Sequence, residues 1–81
     1  MNYPNPFSNS TNIHFSLEKI SFVELTVYDA FGKVVSQLAE DTLPHGSYQY
    51  QWDASGLPEG VYYLLMESPS QRQIRKMVVV R

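Results

Sequence analysis

Residues 47–52 read SYQYQW, a strict alternation of polar and aromatic side chains. Successive side chains of a β-strand point to opposite faces of the sheet, so a period of two predicts a strand with one buried and one wet face. Tyr48, Tyr50 and Trp52 share the buried face, and we expect Trp52 to anchor the core because its apolar surface is large. The same period of two then locates the neighbouring strands.

Two segments earlier in the chain show this alternation. In residues 12–17 every second residue is apolar, and from Phe22 to about Asp29 every second position is aliphatic. Both segments therefore read as half-buried strands. The residues predicted to face the core are Ile13, Phe15 and Leu17 in the first segment and Val23, Leu25 and Val27 in the second.

Residues 28–33 connect the second of these strands to its return. They place Asp29 early and Gly32 late, the order of a type I turn followed by a left-handed residue, which predicts a β-hairpin. Residues 33–38 should then run back antiparallel, with Val34, Ser36 and Leu38 on one face.

The second half of the chain adds two more strands. Residues 61–66 are almost continuously apolar, which predicts a central strand covered on both faces. Residues 73–80 form the last strand, and an extended piece over residues 3–7 could pair at an edge despite its two prolines.

These segments together predict the fold class. We expect an all-β fold, an immunoglobulin-like antiparallel β-sandwich of about seven strands, because short strands alternate with Pro- and Gly-containing connections throughout. No window has apolar residues at helical spacing, so helix should be nearly absent. Residues 1–81 are expected to form a single domain without internal repeats.

Length and composition argue against several function classes. The chain has 81 residues, no cysteine and a formal net charge of −2. A domain of this size has little spare stability for a buried catalytic cavity, and a nearly balanced charge gives no electrostatic reason to bind nucleic acid. No segment has the apolar length of a membrane span, so we expect neither a nucleic-acid partner nor a span.

The candidate catalytic and metal-binding residues form no constellation. His14 falls on the polar face of its strand and His45 in a Pro-His-Gly turn, so both are expected in solvent. Asp53 and Glu59 bracket a loop, but residues 54–58 lack the alternating oxygen ligands of a calcium site. Asp53 is instead predicted to cap a turn by accepting backbone N–H groups. We expect no enzyme activity, no cofactor and no metal site.

Four blocks of sequence, taken in order, resemble a known family. They are residues 2–7 (NYPNPF) with the segment 10–17, residues 27–38, residues 52–64 (WDASGLPEGVYYL) and residues 76–81 (KMVVVR). This arrangement is similar to the type A carboxy-terminal sorting domain of the type IX secretion system, an immunoglobulin-like domain related to that of the flagellar hook-capping protein. The resemblance covers essentially the whole chain.

The resemblance implies that the domain is a C-terminal secretion signal. Such domains sit at the carboxyl end of a covalently fused cargo, are recognised by the outer-membrane type IX translocon, and are typically removed by a sortase-like peptidase. The implied location is the cell surface or the exterior of a Gram-negative bacterium, reached through the periplasm and outer membrane. We expect the signal peptide at the far end of a longer protein, Arg81 as its natural end and Met1 as a cloning boundary.

The resemblance also implies candidate recognition residues. They are Pro4, Asn5, Pro6 and Phe7 at the start, Gly60 and Tyr62 in the third block, and Lys76, Met77, Val78, Val79, Val80 and Arg81 at the end. Each set has a structural alternative: the first fixes an extended edge, Gly60 supplies a positive φ, and Tyr62 packs in the core. The last strand could fold into the sheet or lend its edge to a partner by β-addition.

Two other function classes remain for comparison. A non-catalytic accessory β-sandwich that binds carbohydrate or protein is suggested by the six tyrosines, but it needs exposed, coplanar aromatic rings. An enzyme has no supporting residue set. For the assembly we expect a monomer or a weak dimer, because a small sandwich leaves strand edges unpaired.

Overall fold

A computed structural model describes residues 2–3, 6 and 8–81, and these residues form seven β-strands and no helix. None of them belongs to a helix that could cross a membrane. The predicted all-β fold of about seven strands is confirmed. The strands are β1 (Asn2–Tyr3), β2 (Ser10–Leu17), β3 (Ser21–Asp29), β4 (Val34–Leu43), β5 (Gly46–Asp53), β6 (Gly60–Ser68) and β7 (Gln71–Val79).

The strands form two antiparallel sheets. The first has the order β1-β2-β5 and the second the order β4-β3-β6-β7. The chain passes from one sheet to the other between β2 and β3, between β4 and β5, and between β5 and β6. Two antiparallel sheets joined by such crossings make the expected immunoglobulin-like sandwich.

The core lies between the inward faces of the two sheets, and the predicted alternation holds in β2 and β3. Trp52 is only 2% exposed, and its ring meets that of Tyr62 edge to face at 5.4 Å. This pair joins the two sheets, because Trp52 belongs to β5 and Tyr62 to β6. The buried aliphatic and aromatic residues of β2 and β3 are Ile13, Phe15, Leu17, Val23, Leu25 and Val27.

Tyr48 and Tyr50 lie on the inward face of β5 but are only half-buried. Their rings stack on Phe15 of the paired strand at centroid distances of 5.3 and 5.8 Å. Stacked cross-strand aromatic pairs stabilise a sheet beyond the area they bury. These tyrosines therefore extend the core to the rim of the sandwich.

The β3–β4 hairpin forms as predicted, but the inward face of β4 differs from the prediction. The pairing shifts register twice, so that Val35 and Leu38 are extra residues opposite a regular β3. Each bulge changes which side chains point inward. Val35 and Leu38 pack against the core while Val34 is 52% exposed, so the prediction that Val34, Ser36 and Leu38 share one face is wrong.

Strand β6 is central, between β3 and β7, as its apolar sequence predicts. The expectation that both of its faces are covered is wrong, because Tyr63 on the outward face is 38% exposed. On the adjacent strand β7, Ile74 pairs with Leu65 of β6 and is 64% exposed. The apolar outward residues of β6 therefore line a surface that faces solvent.

The amino-terminal edge is described only in part. Asn2 and Tyr3 pair with Ile13 and Asn12 of β2, which places β1 at the edge of the first sheet. The predicted extended piece over residues 3–7 otherwise falls mostly on Pro4, Asn5 and Phe7, which lie outside the described residues.

Candidate functional site

Parts of the blocks that resemble the sorting-domain family lie together at one end of the sandwich, beside residues 8–9, which separate the two segments of the first block. At this end β2 begins opposite the last residue of β5, Ser10 against Asp53, and β6 begins opposite the last residue of β7, Gly60 against Val79. The β3–β4 turn lies there too, since Asp29 pairs with Tyr62. We call this surface the motif end and define it as residues 8–9, 29–33, 53–60 and 80–81.

The β3–β4 turn at the motif end is held by Asp29. Its carboxylate accepts the backbone N–H groups of Phe31 and Lys33, each at 2.9 Å. Gly32 has a φ of 84°, which is the left-handed residue that the sequence predicts. The turn leaves the ring of Phe31 95% exposed beside the β5–β6 loop.

Asp53 caps the β5–β6 loop as predicted. Its carboxylate accepts the backbone N–H of Ser55 at 2.9 Å. Hydrogen bonds from the Ser55 backbone and side chain, together with the charge of Arg81, hold the pKa of Asp53 below its ordinary value. The loop also joins the segment before β2, because the buried Ala54 donates its N–H to the carbonyl of Asn9 at 2.7 Å.

Gly60 and Tyr62 have defined structural roles at the start of β6. Gly60 has a φ of 145°, a conformation that L-amino acids with a side chain rarely adopt. Tyr62 is 5% exposed and donates its hydroxyl hydrogen to the carbonyl of Pro58 at 2.7 Å. The structural alternative stated for both residues is therefore observed.

The same arrangement, a glycine with positive φ and a tyrosine hydroxyl bonded to a preceding proline carbonyl, also begins β5. We did not predict this arrangement from the sequence. Pro44-His45-Gly46-Ser47-Tyr48 repeats the spacing of Pro58-Glu59-Gly60-Val61-Tyr62. Gly46 has a φ of 144°, and the Tyr48 hydroxyl donates to the Pro44 carbonyl at 2.6 Å. The repeated Pro-x-Gly-x-Tyr spacing was the signal that could have revealed it.

The last strand separates its residues between the core and the surface. Met77 and Val79 are 0% and 2% exposed, so they anchor β7 to the sandwich. Lys76 is exposed, Val78 is half-buried and Val80, beyond the strand, is 49% exposed. These outward residues and Arg81, which is also exposed, are the members of the final block with side-chain surface in solvent.

Arg81 lies across the motif end. Its guanidinium donates to the carbonyl oxygen of Ser8 and, through Nη2, to the carbonyls of Ala54 at 2.7 Å and Leu57 at 2.6 Å. Its backbone N–H points to Glu59 Oε1 at 3.3 Å. Arg81 therefore joins the carboxyl end, the β5–β6 loop and the segment before β2.

The first block is described only in part. Pro6 is exposed, whereas Pro4, Asn5 and Phe7 lie outside the described residues. The expectation that these four residues take part in recognition therefore stays a prediction.

The chemistry expected of a catalytic or metal site has no visible basis in the described part of the chain. His14 and His45 are exposed, on β2 and in the β4–β5 connection respectively. Within residues 2–3, 6 and 8–81 no three His, Asp or Glu side chains form a group that could hold a metal ion. Of the aromatic residues in the SYQYQW segment, Trp52 is buried and Tyr48 and Tyr50 stack on Phe15.

Comparison with known proteins identifies the family. No curated protein sequence matches the chain. The family described as a secretion system C-terminal sorting domain matches residues 2–80, nearly the full sequence. Together with the two-sheet fold and the assembled motif end, this match shows that the chain belongs to the family of C-terminal sorting domains of the type IX secretion system.

Proposed function

We propose that this domain directs a covalently attached upstream cargo through the outer-membrane type IX translocon. The family match over residues 2–80 is the observation that carries the proposal. In this proposal a sortase-like peptidase removes the domain after transport, and the cargo reaches the surface or the exterior of a Gram-negative bacterium. The domain itself contributes recognition and performs no chemical step.

The outward side chains of β7, together with Val80 beyond it, form the surface that we assign to the translocon. Strand β7 is the last strand of the four-stranded sheet, and among the described strands it pairs with β6. All nine of its residues pair with β6 without a register shift.

The recognition residues of the final block then divide into two groups. Lys76, Val78 and Val80 present side chains outward and would contact the partner. Met77 and Val79 are buried and act by holding the strand in place. Gly60 and Tyr62 support recognition indirectly, by shaping the start of β6 beside the end of β7.

The test is export of a periplasmic reporter fused ahead of residue 1 in a host with the secretion system. Lys76→Glu and Val80→Glu each add a carboxylate to the outward surface without touching the core. We expect both variants to keep the wild-type thermal midpoint and to leave most of the reporter in the periplasm. Surface delivery of both variants at the wild-type level would overturn the assignment.

Two controls separate recognition from folding. Gln49→Glu adds the same carboxylate to an exposed position of the edge strand β5 and should be exported normally. Met77→Ala removes a fully buried side chain and should cost about 2–5 kcal/mol of stability, so its export defect would report unfolding. For the same reason, deletion of residues 76–81 removes two core anchors and tests folding together with recognition.

A further inference from the structure

Arg81 makes hydrogen bonds to carbonyl groups from two segments that are far apart in the sequence. Ser8 lies 73 positions before Arg81, while Ala54 and Leu57 lie 27 and 24 positions before it. A planar guanidinium has five donors in a fixed arrangement, so one arginine can span several carbonyl groups at once. We call Arg81 and these three carbonyls the Arg81 clamp.

The two segments held by the clamp also contact each other directly. Ser8 and Asn9 precede β2, and the backbone bond from Ala54 N–H to the Asn9 carbonyl joins them to the β5–β6 loop. The Ala54 carbonyl accepts the Leu57 N–H at 3.0 Å as well as the guanidinium of Arg81. Removal of the guanidinium therefore weakens the loop and the amino-terminal segment together.

The clamp is also placed where it can be released. Val79 is the last residue of β7, and the exposed Val80 separates it from Arg81. The buried Met77 and Val79 hold the strand independently of Arg81. The last two residues can therefore leave the motif end while β7 stays in the sheet.

We infer that Arg81 is a releasable clamp that couples the carboxyl end of the domain to the segment before β2, through which the cargo is attached. When a partner engages the carboxyl end and draws Arg81 away, residues 8–9 and the loop 54–57 loosen. Recognition at one end of the chain thereby exposes the junction at the other. The attachment of cargo before β2 and the role of the translocon as that partner rest on the proposed function, whereas the coupling is a property of the isolated domain.

Hydrogen exchange of the 81-residue chain tests the coupling, with Arg81→Gln as the released state. We expect the amide of Ala54 and those of residues 8–11 to exchange about tenfold faster than in the wild type, because the clamp no longer opposes local opening. Amides at the centre of β3 should keep their wild-type rates. Arg81→Lys retains the charge but has no planar fork, so it should give a smaller acceleration at the same amides.

Arg72→Gln is the matched control, because Arg72 lies at the opposite end of β7 from Arg81, where its Nε is 3.7 Å from Glu67 Oε2 of β6. It should leave the amides of the motif end unchanged. Equal exchange of Ala54 in the wild type and in Arg81→Gln would overturn the clamp. Uniform acceleration of all strands in both Arg81→Gln and Arg81→Lys would also overturn it, since Arg81 would then support only global stability.

A second measurement connects the coupling to the cargo junction. With a reporter fused ahead of residue 1, limited digestion by thermolysin should cut residues 2–9 several-fold faster in Arg81→Gln than in the wild type or in Arg72→Gln. Equal digestion rates would contradict the inference. If exchange and digestion behave as expected but the wild-type fusion is not exported, the proposed function is wrong and the clamp stands.

Discussion

Two aspartates at the motif end stabilise turns by the same short-range chemistry. Asp29 accepts backbone N–H groups two and four residues ahead, and Asp53 accepts the N–H group two residues ahead. Such contacts depend only on the local chain, because a short carboxylate side chain reaches the backbone that follows it. Both turns could therefore be predicted from single residues and the glycines near them.

Asp53 should make stability depend on pH in the acid range. Its pKa in the folded domain is below the ordinary value of 3.8, so folding favours the charged form. This stabilisation is complete above the unfolded pKa and is lost as the pH falls through the folded pKa. The difference in urea midpoint between wild type and Asp53→Ala should therefore be constant near neutrality and shrink below about pH 4.

Asp53→Asn provides the companion measurement. Its amide oxygen can still accept the Ser55 N–H but does not titrate in this range. The difference in midpoint between Asp53→Asn and Asp53→Ala should then stay flat with pH. A wild-type advantage over Asp53→Ala that persists undiminished at pH 2 would contradict the assigned pKa shift.

At the scale of elements, two connections between the sheets use the same Pro-x-Gly-x-Tyr device. One leads from β4 into β5 and the other from β5 into β6. In both, the glycine has a φ near 145° and the tyrosine hydroxyl reaches back to the proline carbonyl, at 2.6 and 2.7 Å. The shared geometry indicates that this spacing serves the change of sheet, in one case inside a family block and in the other outside the blocks that we matched.

Gly46→Ala and Gly60→Ala should cost similar amounts of stability. An added Cβ meets no atom within 4 Å at either position, so the cost is backbone strain alone. We expect a loss of about 1–3 kcal/mol in the free energy of unfolding for each, measured by urea denaturation. Ser47→Ala, at an exposed neighbouring position, should change stability by less than about 0.5 kcal/mol. A loss at one glycine only would show that the two connections are not equivalent.

At the scale of the whole molecule, the contact between Trp52 and Tyr62 makes the two sheets one cooperative unit. Trp52 lies in the three-stranded sheet and Tyr62 in the four-stranded sheet, and both are almost fully buried. Neither sheet can bury its inward face without the other, because each supplies the opposite wall of the core.

Unfolding should therefore be two-state. Trp52 is the single tryptophan, so its fluorescence reports the interface between the sheets, while far-ultraviolet circular dichroism reports the strands. We expect the two urea transitions to coincide within error. Replacement of Trp52 by alanine should destabilise the domain by about 3–5 kcal/mol, measured by circular dichroism. A fluorescence transition that precedes the loss of strand signal would show that the sheets separate before they unfold.

The sequence by itself determined the positions of β2, β3, β5, β6 and β7, the inward residues of β2, β3 and β5, and the turns at Asp29 and Asp53. These features follow from the period of the side chains and from local hydrogen bonds, both of which depend only on residues close together in the sequence. It also carried the family resemblance, because ordered blocks are visible without coordinates. Strand β4 continues to Leu43, beyond the predicted range 33–38.

Only the tertiary structure decided the inward face of β4, the open outward face of β6 and the assembly of the motif end. Bulges such as those at Val35 and Leu38 arise from the fit of one strand against another, and the period of a single strand does not contain that fit. The partners of Arg81 lie 24 to 73 positions away in the sequence, and they meet the guanidinium only after both sheets have packed. The sequence could name Arg81 as a recognition residue, but its hydrogen bonds to Ser8, Ala54 and Leu57 exist because the fold brings three distant segments to one end.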